Sequence, residues 1–246
     1  IAELHKTGVE VILVSSGAVA SGRSEVHSAK KLDSVDQRQL FSAVGQAKLI
    51  NRYYELFREH GIPVGQVLTM KENFATRRHY LNQKNCMTVM LENGVIPIVN
   101  ENDTVATHEI EIGDNDTLSA IVASMIGADL LILLSDIDGL YTDDPRANPD
   151  AEFIETVEHL DESFLRMGKS TTGSGVGTGG MSTKLTAATI ATASGADMVI
   201  ANSKDVRIIH RIIDGENYGT LFLAEKQDAF DLPDFVENLH SCRERG

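Results

Sequence analysis

The chain has 246 residues, an apolar share of 42% and a formal net charge of −14. This length allows one large α/β domain or two smaller ones. Because nucleic acids and anionic membranes are negatively charged, the acidic balance argues against both as partners. No apolar run approaches the roughly 18 residues of a membrane span, and no signal peptide is visible. Cys86 and Cys242 form no metal-binding pattern, so they fit a reducing cytoplasm.

In the first half of the chain, apolar periodicity predicts alternating helices and strands. Ile1–Lys6 is typical of the last turns of a helix, and Val9–Val14 is typical of a buried strand. Since the chain begins in this way, we expect that a leading strand is missing from it. Ser34 opens a capping-box pattern, which predicts the start of a long amphipathic helix that ends at Gly61. Strands are also expected over Val64–Met70 and Val95–Val99, and a helix over Arg77–Glu92.

In the second half, Thr117–Ile126 has the small and apolar residues of a helix. Asp129–Leu134 follows with almost nothing polar after its first residue, so we expect a strand buried on both faces. Helices are also expected over Leu185–Ala193 and Val206–Ile213, and strands over Asp197–Ala201 and Gly219–Leu223.

The alternation of strands and helices argues for an α/β fold with a mainly parallel sheet and helices on both faces. We predict one domain over residues 1–223, followed by a polar tail over 224–246. A division of the domain into two lobes, before and after about Val105, stays open.

Polar residues cluster where several of the predicted strands end. In open α/β sheets this carboxyl edge is where ligands bind. The clusters are Ser15-Ser16-Gly17, Asn100-Glu101-Asn102-Asp103, and Ser135-Asp136. Turns use the same residue types, so each cluster also has a purely structural interpretation. We predict no metal site built by the protein alone, because Mg²⁺ usually takes one or two protein carboxylates plus phosphate oxygens.

Two further segments carry chemistry. Gly177–Lys184 is rich in glycine and ends on a lysine, directly before a predicted helix. Glycine backbone N–H groups, a helix N-terminus and a mobile ammonium together suit a polyphosphate. The segment lacks the Walker A spacing, and the GxGxxG match over residues 175–180 lacks the preceding strand that dinucleotide sites need. Asp116 precedes another predicted helix, where it is either functional or only an N-cap.

Taken together, these motifs resemble the amino acid kinase family. They occur in the family's order and extend to about Phe222. The resemblance implies a three-layer αβα sandwich, with the phosphoryl acceptor in one lobe and ATP in the other. The motifs that carry it are Val14–Val19, Ala43–Gln46, Ile98–Asp103, Gly113–Asp116, Leu134–Asp136, Gly139–Tyr141 and Gly177–Lys184.

The resemblance also implies roles for individual residues. Lys184 would stabilise the transferring phosphoryl group, and Asp116 would orient the charged groups around it. The acceptor would be held by Ser16, Gly17, Asn100, Asp103 and Asn115. The nucleotide would be bound by Ser135, Asp136, Thr178, Gly179, Gly180, Met181, Ser182, Thr183 and Lys184.

The members it resembles most use ATP, carried with Mg²⁺, to phosphorylate the γ-carboxylate of L-glutamate in the first step of proline biosynthesis. Proline as a feedback inhibitor, a dimeric or tetrameric assembly and a cytoplasmic location are implied in the same way. Asp103 is an acid where a free α-ammonium would bind, which favours glutamate over N-acetylglutamate.

The sequence departs from the family in two respects. Nothing in it matches the family's leading strand, whose lysine contacts the phosphates, and it stops too soon for a C-terminal PUA domain. Two alternatives stay open beside the phosphorylation of glutamate. One is a kinase acting on another acid or phosphate, such as aspartate, N-acetylglutamate, carbamate or uridine monophosphate. The other is a regulatory module that binds nucleotide without turnover.

Overall fold

The computed structural model describes residues 1–26, 32–105, 112–143, 148–161, 164 and 180–239. The chain separates into two compact units, Ile1–Asn115 and Asp116–Gly246. The sequence left open a division into two lobes at about Val105. Within the described ranges, no helix combines the length and apolarity that a membrane crossing requires.

The first unit is built on a three-stranded parallel sheet. Its strands β1 (Leu13–Val14), β2 (Val64–Thr69) and β3 (Ile96–Glu101) lie in the order β1-β3-β2. The helices described in this unit are α1 (Ala2–Lys6), α2 (Ala18–Arg23), α3 (Ser34–Arg58), α4 (Lys71–Ala75) and α5 (Arg77–Glu92). The central strand β3 is buried along its whole length, as its position between two neighbours requires.

Most elements of this unit follow the sequence, and the differences have local causes. Helix α5 has the predicted bounds, whereas the strand expected over Val9–Val14 is paired only at Leu13–Val14. The cap of α3 is Asp33 rather than Ser34, because the Asp33 carboxylate accepts the backbone N–H of Asp36 at 2.8 Å. Strand β3 continues through Glu101, so part of the expected polar cluster belongs to the sheet.

Two glycines let α2 and α3 pack with their backbones almost in contact. A Cβ atom built at Gly45 would lie 1.7 Å from the carbonyl oxygen of Ala18, and one at Gly22 would lie 1.8 Å from that of Phe41. No side chain fits at either position without moving a helix. The two contacts, one at each end of α2, therefore fix how α3 lies along this helix.

The second unit contains a four-stranded mixed sheet and a small hairpin-like pair. The sheet order is β4 (Leu130–Ser135), β8 (Asp197–Asn202), β9 (Thr220–Phe222), β7 (Thr156–Val157), with only the β8–β9 pair antiparallel. Strands β5 (Leu140–Tyr141) and β6 (Phe153–Ile154) pair antiparallel. The helices described in this unit are α6 (Asn115–Ile126), which starts on the last residue of the first unit, α7 (Met181–Ser194), α8 (Ile208–Ile213) and α9 (Leu232–Glu237).

The expectation that β4 is buried on both faces holds for one face fully and for the other only in part. Leu131 and Leu133 are buried, whereas Leu134 is 39% exposed. On the face of Leu134, Leu130 and Ile132 are partly buried against a cluster that includes Ile208 and Ile212, so this face is covered only in part. An apolar run by itself does not reveal this, since leucine occurs on both faces here.

We expect Gly45→Ala to lower the free energy of unfolding by about 1–3 kcal/mol, because the new methyl group meets backbone that cannot rotate away. Urea denaturation measures it. The matched control is Ala47→Gly at an exposed site of the same helix, which reports helix propensity alone, about 1 kcal/mol. A Gly45→Ala protein that is more stable than the parent would contradict the close packing of α2 and α3.

Candidate active site

Lys184 lies in the first turn of α7 and is only 7% exposed. Its Nζ donates to Oδ2 of Asp116 at 2.9 Å. Lysine is almost never buried without a partner, and here the partner comes from the first turn of α6 within the same unit. The pair places one ammonium at a fixed point beside the start of a helix.

Thr183 completes the environment of this ion pair. Its Oγ1 donates to the same Oδ2 of Asp116 at 2.9 Å and also lies 2.8 Å from the carbonyl oxygen of Gly180. Asp116 is not the N-cap of α6, because the helix begins at Asn115 and Asp116 lies inside the first turn. Its carboxylate instead contacts side chains of α7.

Only part of the glycine-rich segment is described. Gly180 is the N-cap of α7 in an extended conformation, and Met181 and Ser182 open the helix with no side-chain cap. The first N–H groups of an α-helix have no partner within it, and this helix is 14 residues long. Thr178 and Gly179 lie outside the described residues.

Ser135 and Asp136 lie at the carboxyl end of β4. Ser135 pairs with Asn202 at the end of β8, and its carbonyl oxygen accepts the N–H of Ser203 at 2.7 Å. The Ser135 hydroxyl donates to Asp136 Oδ1 at 3.2 Å. Asn202, which sequence reasoning did not single out, donates to Asp138 Oδ1 at 2.7 Å. A polar residue directly after the apolar run of β8 was the available signal.

These residues form two clusters within the second unit. Lys184, Asp116 and Thr183 are joined by hydrogen bonds, and so are Ser135 and Asp136, but no hydrogen bond between described residues links the two groups. Among the described residues there is also no group of three or more His, Cys, Asp or Glu side chains that could hold a metal ion.

In the first unit, Asn100 lies near the carboxyl end of β3 and is 4% exposed. Its Oδ1 accepts the backbone N–H of Glu101 at 2.9 Å, and its Nδ2 donates to Oε1 of Gln46 at 3.0 Å. The N–H of Ser15 donates to the carbonyl oxygen of Val99 at 2.9 Å, so the end of β1 lies beside Asn100. Ser16 and Gly17 follow there, with Gly17 at φ +97 as the N-cap of α2.

Glu101 has a role that the sequence did not reveal. Its carboxylate is buried and accepts the backbone N–H groups of Ile112 at 2.6 Å and Gly113 at 3.2 Å. It thereby ties β3 to the segment that leads to Asn115. The Asn-Glu-Asn-Asp cluster is thus partly structural, since this acid serves backbone donors.

Asp103 has a cation beside it. The Nε of Arg38, on α3, lies 3.9 Å from Oδ1 of Asp103, and both side chains are mostly buried. Sequence reasoning missed Arg38, because residues on a distant helix give no local sign that they reach a strand end. The two side chains present opposite charges at one place.

Comparisons with known proteins agree with this architecture. Residues 1–202 match the model of the amino acid kinase family. The chain is 64% identical over 211 residues to a protein of Bacteroides thetaiotaomicron named glutamate 5-kinase, covering 85% of this chain and 57% of that protein. It is 46% identical over 227 residues to a glutamate 5-kinase of Clostridium acetobutylicum, covering 92% of this chain and 85% of that protein.

The fold has a solved counterpart. A UMP kinase from Bacillus anthracis superposes with a TM-score of 0.57 at 16% identity, covering 91% of this chain and 83% of the other. The expected α/β class with mainly parallel strands is confirmed. The chain spans somewhat more than half of the Bacteroides relative's length. On the family model and the identities together, the chain belongs to the amino acid kinase family.

Proposed function

We propose that the chain transfers the γ-phosphoryl group of ATP to the γ-carboxylate of L-glutamate, giving ADP and L-glutamyl 5-phosphate. The observation that carries the proposal is the buried ion pair of Lys184 and Asp116 at the start of α7. The names of its relatives, at identities of 45% and above over most of the chain, support this acceptor.

The chemistry suits these residue types. A carboxylate is a nucleophile at neutral pH, so the acceptor needs no general base. Phosphoryl transfer passes through a loose transition state, so catalysis consists mainly of positioning and of charge stabilisation. Lys184 would supply the charge, while Asp116 and Thr183 hold its ammonium in place.

The nucleotide would bind Ser135 and Asp136 at the end of β4, together with residues 178–184. The uncapped N–H groups at the start of α7 support an anion there. Mg²⁺ would arrive with ATP and be held mainly by phosphate oxygens, with at most one or two carboxylates such as Asp116 or Asp136. When bound, it would neutralise charge on the phosphates.

The acceptor would bind Ser16, Gly17, Asn100, Asp103 and Asn115 in the first unit. Asp103 would meet the α-ammonium of a free amino acid, and Arg38 beside it suits the opposite charge of a zwitterion. An N-acetylated acceptor has no ammonium, so it would lose the ion pair with Asp103 that a free amino acid makes.

Regulation and assembly belong to the same proposal. Proline, itself a free amino acid, would compete at the acceptor site. A homodimer or homotetramer would use helix α3, which exposes Tyr54 and Leu56. A cytoplasmic location accords with the two cysteines.

Lys184→Ala should lower kcat by on the order of 100–1000-fold, since one donor to the migrating charge is lost. Glutamate-dependent ADP release and hydroxamate formation measure it. Lys226→Ala, an exposed lysine of the same unit, is the matched control and should retain parental kcat. Full activity of Lys184→Ala would remove the proposed mechanism.

Asp116→Asn keeps the shape of the side chain but removes the charge that holds Nζ of Lys184. We expect kcat to fall on the order of 10²-fold through misplacement of the ammonium, with KM for glutamate changed far less. Steady-state kinetics in both substrates separate these effects. A rise in glutamate KM at constant kcat would instead assign Asp116 to acceptor binding.

The acceptor prediction is tested with a panel of glutamate, N-acetylglutamate, aspartate, carbamate and uridine monophosphate, with ADP release as the readout. Glutamate should be the best acceptor, and Asp103→Asn should narrow its advantage over N-acetylglutamate, because the acid that pairs with the ammonium is gone. Preference for another compound would overturn the assigned acceptor, and no turnover with any would favour a non-catalytic module.

A further inference from the structure

Gln46 is a buried residue of α3 whose amide orientation follows from its neighbours. Asn100 uses Oδ1 to accept the Glu101 N–H group, so its Nδ2 must face Gln46. An N–H group needs an oxygen opposite it, so Gln46 presents Oε1 to Asn100. The Nε2 of Gln46 therefore points away from this bond.

That Nε2 has no hydrogen-bond partner among the described residues, although it is buried. Gln46 as a whole is 7% exposed and Asn100 is 4% exposed. Buried polar atoms in native proteins are nearly always paired, and a free donor in the interior is unfavourable. The unused donor calls for an acceptor that binding would bring.

The place of Gln46 is fixed by helix packing. Gly45, the residue before it, lies against the backbone of Ala18 at the start of α2. This contact seats α3 beside the ends of β1 and β3, where Asn100 lies next to Ser15. Gln46 therefore belongs to the same carboxyl edge as the proposed acceptor residues of this unit.

We propose that Gln46 is a further acceptor-binding residue, whose Nε2–H donates to the α-carboxylate of the amino-acid substrate beside Asn100. The inference rests on the proposed function. The α-carboxylate is assigned because the γ-carboxylate is the nucleophile and must stay open to the phosphorus atom. A carboxylate oxygen is the acceptor that an unpaired amide donor binds best.

The test compares L-glutamate with its α-amide, L-isoglutamine, as acceptors for three proteins: the parent, Gln46→Glu and Gln46→Met. The α-amide replaces one carboxylate oxygen with an NH₂ donor. The readout is the ratio of kcat/KM for glutamate to kcat/KM for isoglutamine. KM for ATP and urea denaturation are measured alongside it.

In the parent protein, glutamate should be strongly preferred. In Gln46→Glu, one carboxylate oxygen still accepts the Nδ2–H of Asn100, but the other oxygen replaces Nε2 and faces the α-carboxylate of the substrate. Its preference ratio should therefore fall at least about 100-fold, with KM for ATP within about twofold of the parent. Gln46→Met, which removes the donor without adding charge, should lower the ratio at least about tenfold. Gln66→Glu, an exposed glutamine of β2, is the matched control and should leave the ratio unchanged.

Gln46→Glu keeps an oxygen for the Nδ2 of Asn100, so a fall in its ratio is not explained by a misplaced Asn100. An unchanged ratio in Gln46→Met overturns the inference while glutamate kinase activity stands. Parental behaviour of Gln46→Glu overturns it in the same way. If the parent protein itself shows no glutamate-dependent turnover, the proposed function fails and the inference fails with it. Should Gln46→Glu not fold, the Gln46→Met ratio alone decides.

Discussion

The candidate site of the second unit depends on one buried ammonium, that of Lys184, being held in place. Lys184 is nearly enclosed, and a buried lysine is tolerated only with a counter-charge and hydrogen bonds. Asp116 supplies the charge from α6, and Thr183 bonds to the same carboxylate oxygen. The buried ammonium lies at the start of a helix, where the free backbone N–H groups also attract an anion. Burial and geometry together suit a group that meets a polyphosphate.

The first unit contains a hydrogen-bond network of a different kind, formed by two side-chain amides and one carboxylate. Asn100 and Gln46 orient each other, while Glu101 holds the backbone of Ile112 and Gly113. The glycine contacts between α2 and α3 bring this network to the end of the sheet. Hydrogen bonds with fixed donors and acceptors suit recognition of a small polar molecule. Most of these contacts join residues far apart in the chain.

The sequence predicted regular elements well where the pattern was local. Helix α5 has the predicted bounds, and Gly195 ends α7 at φ +97 as expected of a glycine stop. The predictions were wrong where individual contacts, and not the periodic pattern, determine burial or capping. The burial of Leu134 depends on what covers its face of β4. Asp33 is the cap in place of Ser34 because its carboxylate accepts the N–H group of Asp36.

For the candidate site too, the sequence predicted local features but not contacts between distant residues. Polar residues after apolar runs marked Asn100, Ser135 and Asp136 from sequence alone, since strand ends are local features. The partners of Asn100 and Asp103 were not predictable, because Gln46 and Arg38 lie on a distant helix. Gln46 ends the motif Ala43–Gln46, but the motif does not reveal that its side chain contacts Asn100. The roles assigned to individual site residues stay predictions until a ligand is placed.

The central claim is that Lys184 meets the phosphate in transfer, and a crystal structure with Mg²⁺ and a non-hydrolysable ATP analogue tests it most directly. We predict Nζ of Lys184 within about 3 Å of an oxygen of the terminal phosphate, with Asp116 still bonded to it. A terminal phosphate bound well away from this ammonium would contradict the assignment.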